Sequence, residues 1–337
     1  MHDEPLIFRT CAGGRHGWGN LVRMAAFADF CRRRGGHDCR FVVQGPPEAV
    51  ELLEQRGFGV SLLGDDPSPD EEERCLDACG PAGAAFMEML DCGPERQRIL
   101  ARHAESVIVF DDLLDHEFVC DLVVCGQALP GYGNTGLGNP DTRFLTGLDY
   151  FLLDPSFATG PRKPVEEVRR LLVCFGGGAY DVALLKTAMA LRDMPELEPT
   201  VVLGYGRTDL ADRLGGLLPG ARFLAGVDDM AGLMRQCDLA VVSAGYLKIE
   251  AAATRTPAVM LATQWHQIPL GEAFSALCGM PFGGYMGFVD PRDIAGLVRS
   301  MMDRETRARV TERAAALVDG RGMERVYAEV FGPKVAA

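Results

Sequence analysis

Residues suited to holding a phosphate group lie near the start of the chain. Gly17, Trp18 and Gly19 follow the apolar run Leu6-Ile7-Phe8, and a helical pattern then extends over residues 19–34. Glycines let a backbone come close to a ligand, and the N–H groups and dipole at the start of a helix favour negative charge. This order predicts a phosphate-facing loop, and a plain connection between a strand and a helix is the alternative.

A second glycine-rich turn lies in the middle of the chain, at Gly176-Gly177-Gly178. It follows the apolar run at residues 171–175 and precedes a helical pattern at residues 180–193, so it repeats the arrangement of the first turn. This placement predicts a second phosphate-binding turn, and a flexible connection is the alternative.

The elements that position both turns follow one repeating order. Short apolar runs alternate with amphipathic helical patterns along the chain, which predicts the α/β class, with parallel strands and helices on both faces of the sheets. Residues 83–103 are predicted to be one longer helical segment within this order. A stretch rich in Pro, Gly and basic residues at 155–164 is predicted to be a linker, because the alternation restarts after it.

Two doubly wound, Rossmann-like domains follow from this order. The first is predicted at residues 1–157 and the second at residues 165–337, with the last helix as a candidate for packing back on the first domain. Ligands of such sheets bind at the carboxyl ends of the strands. Both glycine turns are therefore predicted to face a cleft between the domains.

The composition limits the classes of function. The chain has 337 residues and a net charge of −13, which argues against nucleic-acid binding because a phosphate backbone would be repelled. Its 11 cysteines form no C-x-x-C pair and lie in apolar patterns, which favours reduced thiols in a cytosolic protein. Neither a signal peptide nor a membrane span is indicated, so a cytoplasmic location is expected. No histidine shows the spacing of metal ligands, and neither a metal nor a cofactor is expected.

Six patterns along the chain, in the same order, resemble one family of nucleotide-sugar enzymes. They are Arg9 with Gly17-Trp18-Gly19 and Arg23, then Val109-Phe110-Asp111-Asp112, residues 144–157, residues 171–177, Ser243-Ala244-Gly245 with Glu250, and residues 317–326. The family comprises the nucleotide-sugar hydrolase of pseudaminic acid biosynthesis (PseG) and its relative in spore-coat polysaccharide biosynthesis (SpsG). Its fold is similar to that of the MurG-type glycosyltransferases, which implies that the two domains have the GT-B arrangement.

The first loop departs from the family pattern at two positions. The family loop ends Gly-x-Gly-His-x-x-Arg, and its histidine is assigned to catalysis, whereas this chain has Asn20 at that position. The acidic residue that the family places two positions after Arg9 is Cys11. An amide cannot take a proton from water as a neutral imidazole can, but it can donate and accept hydrogen bonds to a sugar or a phosphate.

The resemblance implies which residues bind the substrate. The second domain would hold the nucleotide, and the first domain would supply the sugar site. The implied binding residues are Gly17, Gly19, Arg23, Gly176, Gly177, Ser243, Gly245, Glu250, His266 and Gln267. Glu250 would accept hydrogen bonds from both ribose hydroxyls, and the alternative is an acidic residue favoured in the first helical turn by the dipole.

Three residues are candidates for catalysis: Asn20, His16 and Asp112. His16 is the histidine nearest in sequence to position 20, where the family has its catalytic histidine. The alternative is that His16 is a surface residue without a catalytic role. Asp112 follows Asp111 at the end of a strand, where it could act as a base, bind a sugar hydroxyl or make structural hydrogen bonds. Arg23 could neutralise a diphosphate or cap carbonyl groups of the loop.

The function implied by the resemblance is cleavage of a nucleotide-activated sugar. The expected nucleotide is UDP, and the expected sugar is an amino sugar. The bond between the anomeric carbon and the diphosphate oxygen would break, and water would be the acceptor in a PseG-like hydrolase of surface-glycan biosynthesis. A glycosyltransferase on the same fold and a binding protein without turnover are the alternatives. The sequence leaves the sugar, the acceptor and the oligomeric state open.

Overall fold

The computed structural model describes residues 4–14, 16–128, 139–158, 165–178, 180–204, 207 and 209–332. Most of the predicted linker at residues 155–164 therefore lies outside the described residues. The described residues form two compact units. The first contains nearly all residues up to Asp154 together with the segment from Arg321, and the second contains residues 155–320.

The described part of the first unit is built on a seven-stranded parallel sheet. Its strands are β1 (Leu6–Cys11), β2 (Cys39–Gln44), β3 (Gly59–Leu63), β4 (Ala84–Glu88), β5 (Val107–Phe110), β6 (Leu122–Cys125) and β7 (Arg143–Thr146), in the order β3-β2-β1-β4-β5-β6-β7. Its first helices are α1 (Gly19–Gly35), α2 (Pro47–Glu54), α3 (Pro69–Cys79) and α4 (Pro94–Leu100). All the strand pairs are parallel, as the alternation of strands and helices predicts.

The second unit repeats this plan in its described residues, with a six-stranded parallel sheet. Its strands are β8 (Arg170–Cys174), β9 (Glu198–Val202), β10 (Arg222–Leu224), β11 (Leu239–Ser243), β12 (Ala258–Ala262) and β13 (Phe282–Tyr285), in the order β10-β9-β8-β11-β12-β13. Its helices are α5 (Asp181–Leu191), α6 (Asp209–Gly215), α7 (Met230–Gln236), α8 (Leu247–Ala253), α9 (Gln267–Cys278), α10 (Pro291–Ser300) and α11 (Arg304–Ala316). The predicted fold class, two parallel sheets with interleaved helices, is confirmed.

Aromatic side chains fill the core of the first unit. Phe8 in β1 is fully buried and stacks on Phe41 of β2 and Phe86 of β4, with ring centroids 5.1 and 5.0 Å apart. The ring of Phe27 from α1 meets Phe86 edge-on at 5.3 Å. These contacts fix α1 over β1 and β4, and so they place the start of α1 at the carboxyl end of the central strands.

The last helix, α12 (Gly322–Phe331), packs within the first unit. The ring of Tyr327 lies 5.8 Å from that of Phe30 on α1, and its hydroxyl is 3.1 Å from Nε2 of His37. Within the described part of the chain, every helix is too short or too polar to cross a membrane.

The prediction of a helix over residues 83–103 is wrong. Residues 84–88 form β4, a central strand, and only Pro94–Leu100 is helical. Alanine, methionine, leucine and glutamate are good helix formers, which favoured the helix. Burial of this run between β1 and β5 decides otherwise, because a central parallel strand is covered on both faces and reads as a continuous apolar run.

Candidate functional site

The carboxyl edge of the first sheet has a topological switch point. The chain runs from β1 to β2 on one side, whereas β4 lies on the other side of β1. Ligands of doubly wound sheets bind at such a point, outside the carboxyl ends of the two strands. The residues that end these strands here are Cys11 and Glu88.

The loop after β1 is folded tightly on itself. The backbone N–H of Gly13 donates to the carbonyl of Gly17 at 2.7 Å, and the N–H of Gly17 donates back at 3.2 Å. His16 lies inside this small ring, is partly exposed, and donates its backbone N–H to Gly13. Gly13 and Gly17 have φ values of 73° and 69°, which glycine adopts without strain. Gly19 then begins α1, so the predicted strand, turn and helix are present.

The two positions that depart from the family pattern contact each other. Nδ2 of Asn20 lies 3.6 Å from Sγ of Cys11, and both residues are buried. Burial raises the pKa of the Cys11 thiol, against the opposing effect of its hydrogen bond with Asn20. The pair is therefore a neutral thiol and an amide, which is a poor proton acceptor at neutral pH.

Arg23 lies one turn further along α1 and contacts two carboxylates at the strand ends. Its Nε donates to Oε1 of Glu88 at 2.8 Å, and its guanidinium lies 3.6 Å from Oδ1 of Asp112. The guanidinium also lies over the ring of Phe151, 5.3 Å from its centre. Arg23 and Glu88 are both more than nine-tenths buried, and this pairing of Arg23 was not predicted from the sequence.

The two aspartates after β5 have different surroundings. Oδ1 of Asp111 accepts hydrogen bonds from the backbone N–H groups of Leu113 and Leu114, at 2.9 and 2.6 Å. Burial raises the pKa of the Asp111 carboxyl, against the effect of these hydrogen bonds. The side chain of Asp112 is 19% exposed, so it is the more accessible carboxylate.

A group of metal-ligand type lies close to these aspartates. Among the described residues, Asp111, Asp115 and His116 have ligand atoms within 4.8 Å of one another. Nδ1 of His116 is 3.3 Å from Asp115 and 3.8 Å from Asp111. The spacing rules used on the sequence missed this group, because its members are not arranged like those of any common metal motif.

The second unit has its switch point between β8 and β11. Gly176, after β8, has a φ of 100°, and the turn continues through Gly177 and Gly178. A Cβ atom on Gly204, after β9, would stand 2.4 Å from the carbonyl oxygen of Gly178. The glycine turn therefore lies directly against the neighbouring strand end, where a larger residue would displace it.

The turn after β11 is tied to the residues around it. Ser243 is buried, and the fully buried Lys248 donates its Nζ to the carbonyls of Ala244 and Gly245 at 2.8 and 2.9 Å. A Cβ on Gly245 would stand 3.2 Å from Nε2 of Gln267, so the start of α9 lies against this turn. Lys248 was missed in the sequence, because nothing in the pattern of a short helix indicates a buried ammonium group.

Glu250, His266 and Gln267 complete this edge of the sheet. Glu250 lies in the first turn of α8, and its charge contributes, after burial, to raising the pKa of the Cys174 thiol at the end of β8 to about 12. Gln267 is buried, and its Oε1 accepts hydrogen bonds from the backbone N–H and the hydroxyl of Thr263, at 3.0 and 3.2 Å. His266 is partly exposed at the N-terminus of α9.

The sequence-predicted residues thus fall into two groups, one at each switch point. The first unit brings together Gly17, Gly19, Asn20, Arg23 and Asp112, with His16 in the same loop. The second unit brings together Gly176, Gly177, Ser243, Gly245, Glu250, His266 and Gln267. Sequence reasoning also missed Glu88, which pairs with Arg23, and Lys248, which donates to the carbonyls of Ala244 and Gly245.

Comparison with known proteins extends these observations. No family model matches the chain. It is 27% identical over 197 residues to the spore coat polysaccharide biosynthesis protein SpsG of Bacillus subtilis, and the match covers 56% of this chain and 58% of that protein. The matched region thus spans little more than half the length of this relative.

Solved structures match almost the whole chain. MurG of Acinetobacter baumannii superposes with a TM-score of 0.66 at 13% identity, covering 97% of this chain and 99% of that one. HepE of Anabaena, solved in complex with UDP and glucose, has a TM-score of 0.60 at 14% identity, covering 97% and 98%. The fold is of the GT-B type. The predicted resemblance to SpsG and to the fold of MurG is therefore confirmed.

Proposed function

We propose that the protein is an enzyme of glycan biosynthesis that acts on a UDP-linked amino sugar and releases UDP. The observation that carries this proposal is the set of groups at the switch point between β8 and β11. Two glycine-containing turns lie beside a carboxylate and an amide, within one unit. This is the chemistry that a nucleoside diphosphate requires, since its phosphates need close backbone approach and its ribose needs a hydrogen-bond acceptor.

In this proposal the second unit holds the nucleotide. Gly176 and Gly177 lie against one phosphate and Ser243 and Gly245 against the other, while Glu250 accepts hydrogen bonds from the ribose hydroxyls. Backbone N–H groups near a leaving diphosphate stabilise the charge that develops as the anomeric bond breaks. The spore-coat polysaccharide role in the name of SpsG and the UDP bound to HepE support the substrate class.

The first unit supplies the groups that act on the sugar side. Asp112 is our candidate base, since its carboxylate is the more accessible of the pair after β5. Arg23 holds Asp112 in place through their ion pair, and Asn20 binds the sugar or a phosphate through its amide. Gly17 and Gly19 let the loop approach the ligand, and His16 is the second candidate for proton transfer.

The contact between Asn20 and Cys11 favours an alternative acceptor. Neither group takes up a proton readily at the position where the hydrolase family has its histidine, so activation of water there is lost. Transfer of the sugar to a hydroxyl or amine of a second substrate is therefore the second candidate function.

One assay separates these functions. The purified protein is incubated with a panel of UDP-sugars, and free UDP is measured with and without sugar or lipid-linked acceptors. Release in water alone indicates a hydrolase, and release only with an acceptor indicates a transferase. Binding without release indicates a protein that only binds the nucleotide sugar, and no binding contradicts the proposal. As a control on the base, we expect Asp112→Asn to lower the rate by about 10²–10⁴-fold while leaving UDP affinity unchanged.

A further inference from the structure

Three aromatic side chains form an exposed surface on the second unit, here called the aromatic platform: Trp265, Tyr285 and Phe288. The Trp265 and Tyr285 rings stack with their centres 4.1 Å apart, and Phe288 meets them edge-on at 5.6 and 5.8 Å. Trp265 is 58% exposed and Phe288 is 79% exposed. Contiguous aromatic surface of this kind is unfavourable in water, and it commonly marks a binding site.

A lysine holds the backbone that carries this platform. Nζ of Lys186, on α5, donates to the carbonyl oxygens of Met286, Gly287 and Val289, at 2.7, 3.2 and 2.8 Å. An ammonium group has three protons to donate, and all three carbonyls belong to the short segment between β13 and α10. These three hydrogen bonds therefore fix the backbone segment that carries Phe288.

Further contacts restrain the same segment. The backbone N–H of Met286 donates to the carbonyl of Ala262 at the end of β12, at 2.9 Å. A Cβ on Gly287 would stand 2.5 Å from the ring of Tyr285, so the ring lies directly on the backbone. Asp290 forms a capping box with Asp293 at the start of α10. The segment that carries the exposed rings is thus restrained at both of its ends.

The aromatic platform lies at the carboxyl edge of the second sheet, where the nucleotide is proposed to bind. Trp265 immediately precedes His266 and Gln267, and Gln267 lies against the turn that contains Gly245. Tyr285 ends β13, which pairs with β12 at the carboxyl edge, where Ala262 is its partner. The aromatic rings therefore lie at the same edge as the two glycine turns of the second unit, beyond Gln267.

We propose that the aromatic platform binds the sugar ring of the nucleotide sugar. A pyranose presents a face of C–H bonds that packs on an indole, and a rim of hydroxyl groups that needs polar partners. The platform offers the indole of Trp265, and the next two residues of the chain, His266 and Gln267, carry polar side chains. Apolar and aromatic surface with a few placed polar groups is the usual composition of a small-ligand site. This proposal rests on the proposed function and adds the contact that selects the sugar.

The test compares ligands with and without the sugar. The dissociation constants of UDP and of UDP-N-acetylglucosamine, UDP-glucose and UDP-galactose are measured by calorimetry for the parent protein, Trp265→Ala, Trp265→Phe and Phe288→Ser. We expect Trp265→Ala to weaken binding of the preferred UDP-sugar by about tenfold, the effect of losing one stacking contact, and to leave UDP affinity unchanged. Trp265→Phe should recover part of the loss, since it keeps an aromatic face.

Leu277→Ala is the matched control. Leu277 is also an exposed apolar residue, 47% exposed, and lies on the same helix, α9, but at its far end. Ten residues of helix separate it from Gln267 by about 15 Å, so this variant should bind both ligands as the parent does.

The outcomes separate this proposal from the one on which it rests. A parent protein that binds neither UDP nor any UDP-sugar contradicts both. A parent that binds UDP-sugars, with Trp265→Ala binding them equally well, contradicts the platform alone. The platform is also wrong if Trp265→Ala alters self-association or binding to lipid vesicles without changing UDP-sugar affinity. Quenching of Trp265 fluorescence by a UDP-sugar but not by UDP, and absent in Trp265→Phe, supports it.

Discussion

The contact between Asn20 and Cys11 is the most informative feature at the scale of single residues. The sequence showed two separate departures from the family loop, nine positions apart, and the structure places the two side chains together. A histidine acts as a base most effectively when an acidic group orients its other nitrogen. We therefore propose that positions 11 and 20 act as a pair, and the two should be substituted together.

Introducing the two residues of the family loop should favour reaction with water. We expect Cys11→Asp combined with Asn20→His to raise the rate of UDP release into water, by up to about 10²–10⁴-fold, because an oriented imidazole can then accept a proton. Asn20→His alone should give a smaller rise, since nothing holds its ring. The rate is measured by coupled detection of UDP, with the melting temperature as a control for folding. A folded double variant with the parent's rate would contradict the role assigned to this position.

Asn20→Ala tests the binding role of the amide in the parent chain. We expect weaker binding of a UDP-sugar, since one hydrogen-bond donor to the sugar or phosphate is removed, with a cost of about 0.5–1.5 kcal/mol. Calorimetry measures the dissociation constant. An unchanged constant would remove Asn20 from the ligand site.

In the proposed function, Glu250 is the residue that recognises the ribose of the nucleotide. We expect Glu250→Gln to weaken UDP binding by about tenfold to a hundredfold, because a hydrogen bond to a charged group contributes about 1.5–3 kcal/mol. The parent protein should lose a similar factor for 2′-deoxy-UDP. The variant should discriminate little between UDP and 2′-deoxy-UDP, and equal discrimination by both proteins would place the ribose elsewhere.

Residue types near a recognised motif were predictable, but their partners were not. Asp112 and Arg23 were identified from their local patterns, whereas the ion pair between Arg23 and Glu88 joins residues 65 positions apart. Such a link depends on which strands become neighbours in the sheet, and the local sequence carries no record of that. The same reason hid Lys186, whose three carbonyl partners lie about 100 positions away.

At the scale of secondary-structure elements, the strands were predictable where they were short, apolar and rich in β-branched residues. β5 and β11 are such strands, with the sequences VIVF and LAVVS. β4 has the sequence AAFME, in which four of the five residues favour helices, and only its place between β1 and β5 makes it a strand. Tertiary burial overrides intrinsic propensity there, and so the element carrying Glu88 was assigned wrongly.

The close approach of β9 to the turn at Gly176-Gly177-Gly178 allows a test of the proposed phosphate site. A methyl group at Gly204 would overlap the carbonyl oxygen of Gly178, so we expect Gly204→Ala to displace the turn and weaken UDP binding. Overpacking of this kind costs about 1–3 kcal/mol. Gly296→Ala is the control, because a Cβ there meets open space on α10. Equal UDP affinity for the parent and Gly204→Ala would exclude Gly176-Gly177-Gly178 from the phosphate site.

At the scale of the whole molecule, the doubled architecture followed from the sequence, since the alternation of strands and helices restarts after residue 164. Local periodicity did not assign the last helix to a unit, although this helix was a candidate for packing back on the first domain. Residues 321–332 follow the second unit in sequence, yet Tyr327 and Phe331 pack on His37 of the first unit, with ring centres 5.9 and 4.6 Å from its imidazole. A contact made across nearly 300 positions carries no signal in local periodicity.

The cysteines report on the integrity of both units at once. All 11 are free and lie in the described residues, and all except Cys75 are buried. Burial raises the pKa of the Cys39, Cys120 and Cys125 thiols to about 12, so they stay protonated and unreactive in mildly alkaline buffer. Burial raises the pKa of Cys75 too, but its side chain is the accessible one, so we expect a thiol reagent to label Cys75 rapidly relative to the others, which react only after unfolding. Cys75→Ser should abolish the rapid phase, and rapid labelling of several thiols would contradict this packing.

A crystal structure of the protein with UDP tests the proposed nucleotide site most directly. We expect the diphosphate to lie against the turns at Gly176-Gly177-Gly178 and Ser243-Ala244-Gly245, with the ribose hydroxyls donating to Glu250. UDP bound at any other place, or failure to bind at concentrations that saturate a UDP-sugar enzyme, would contradict the account.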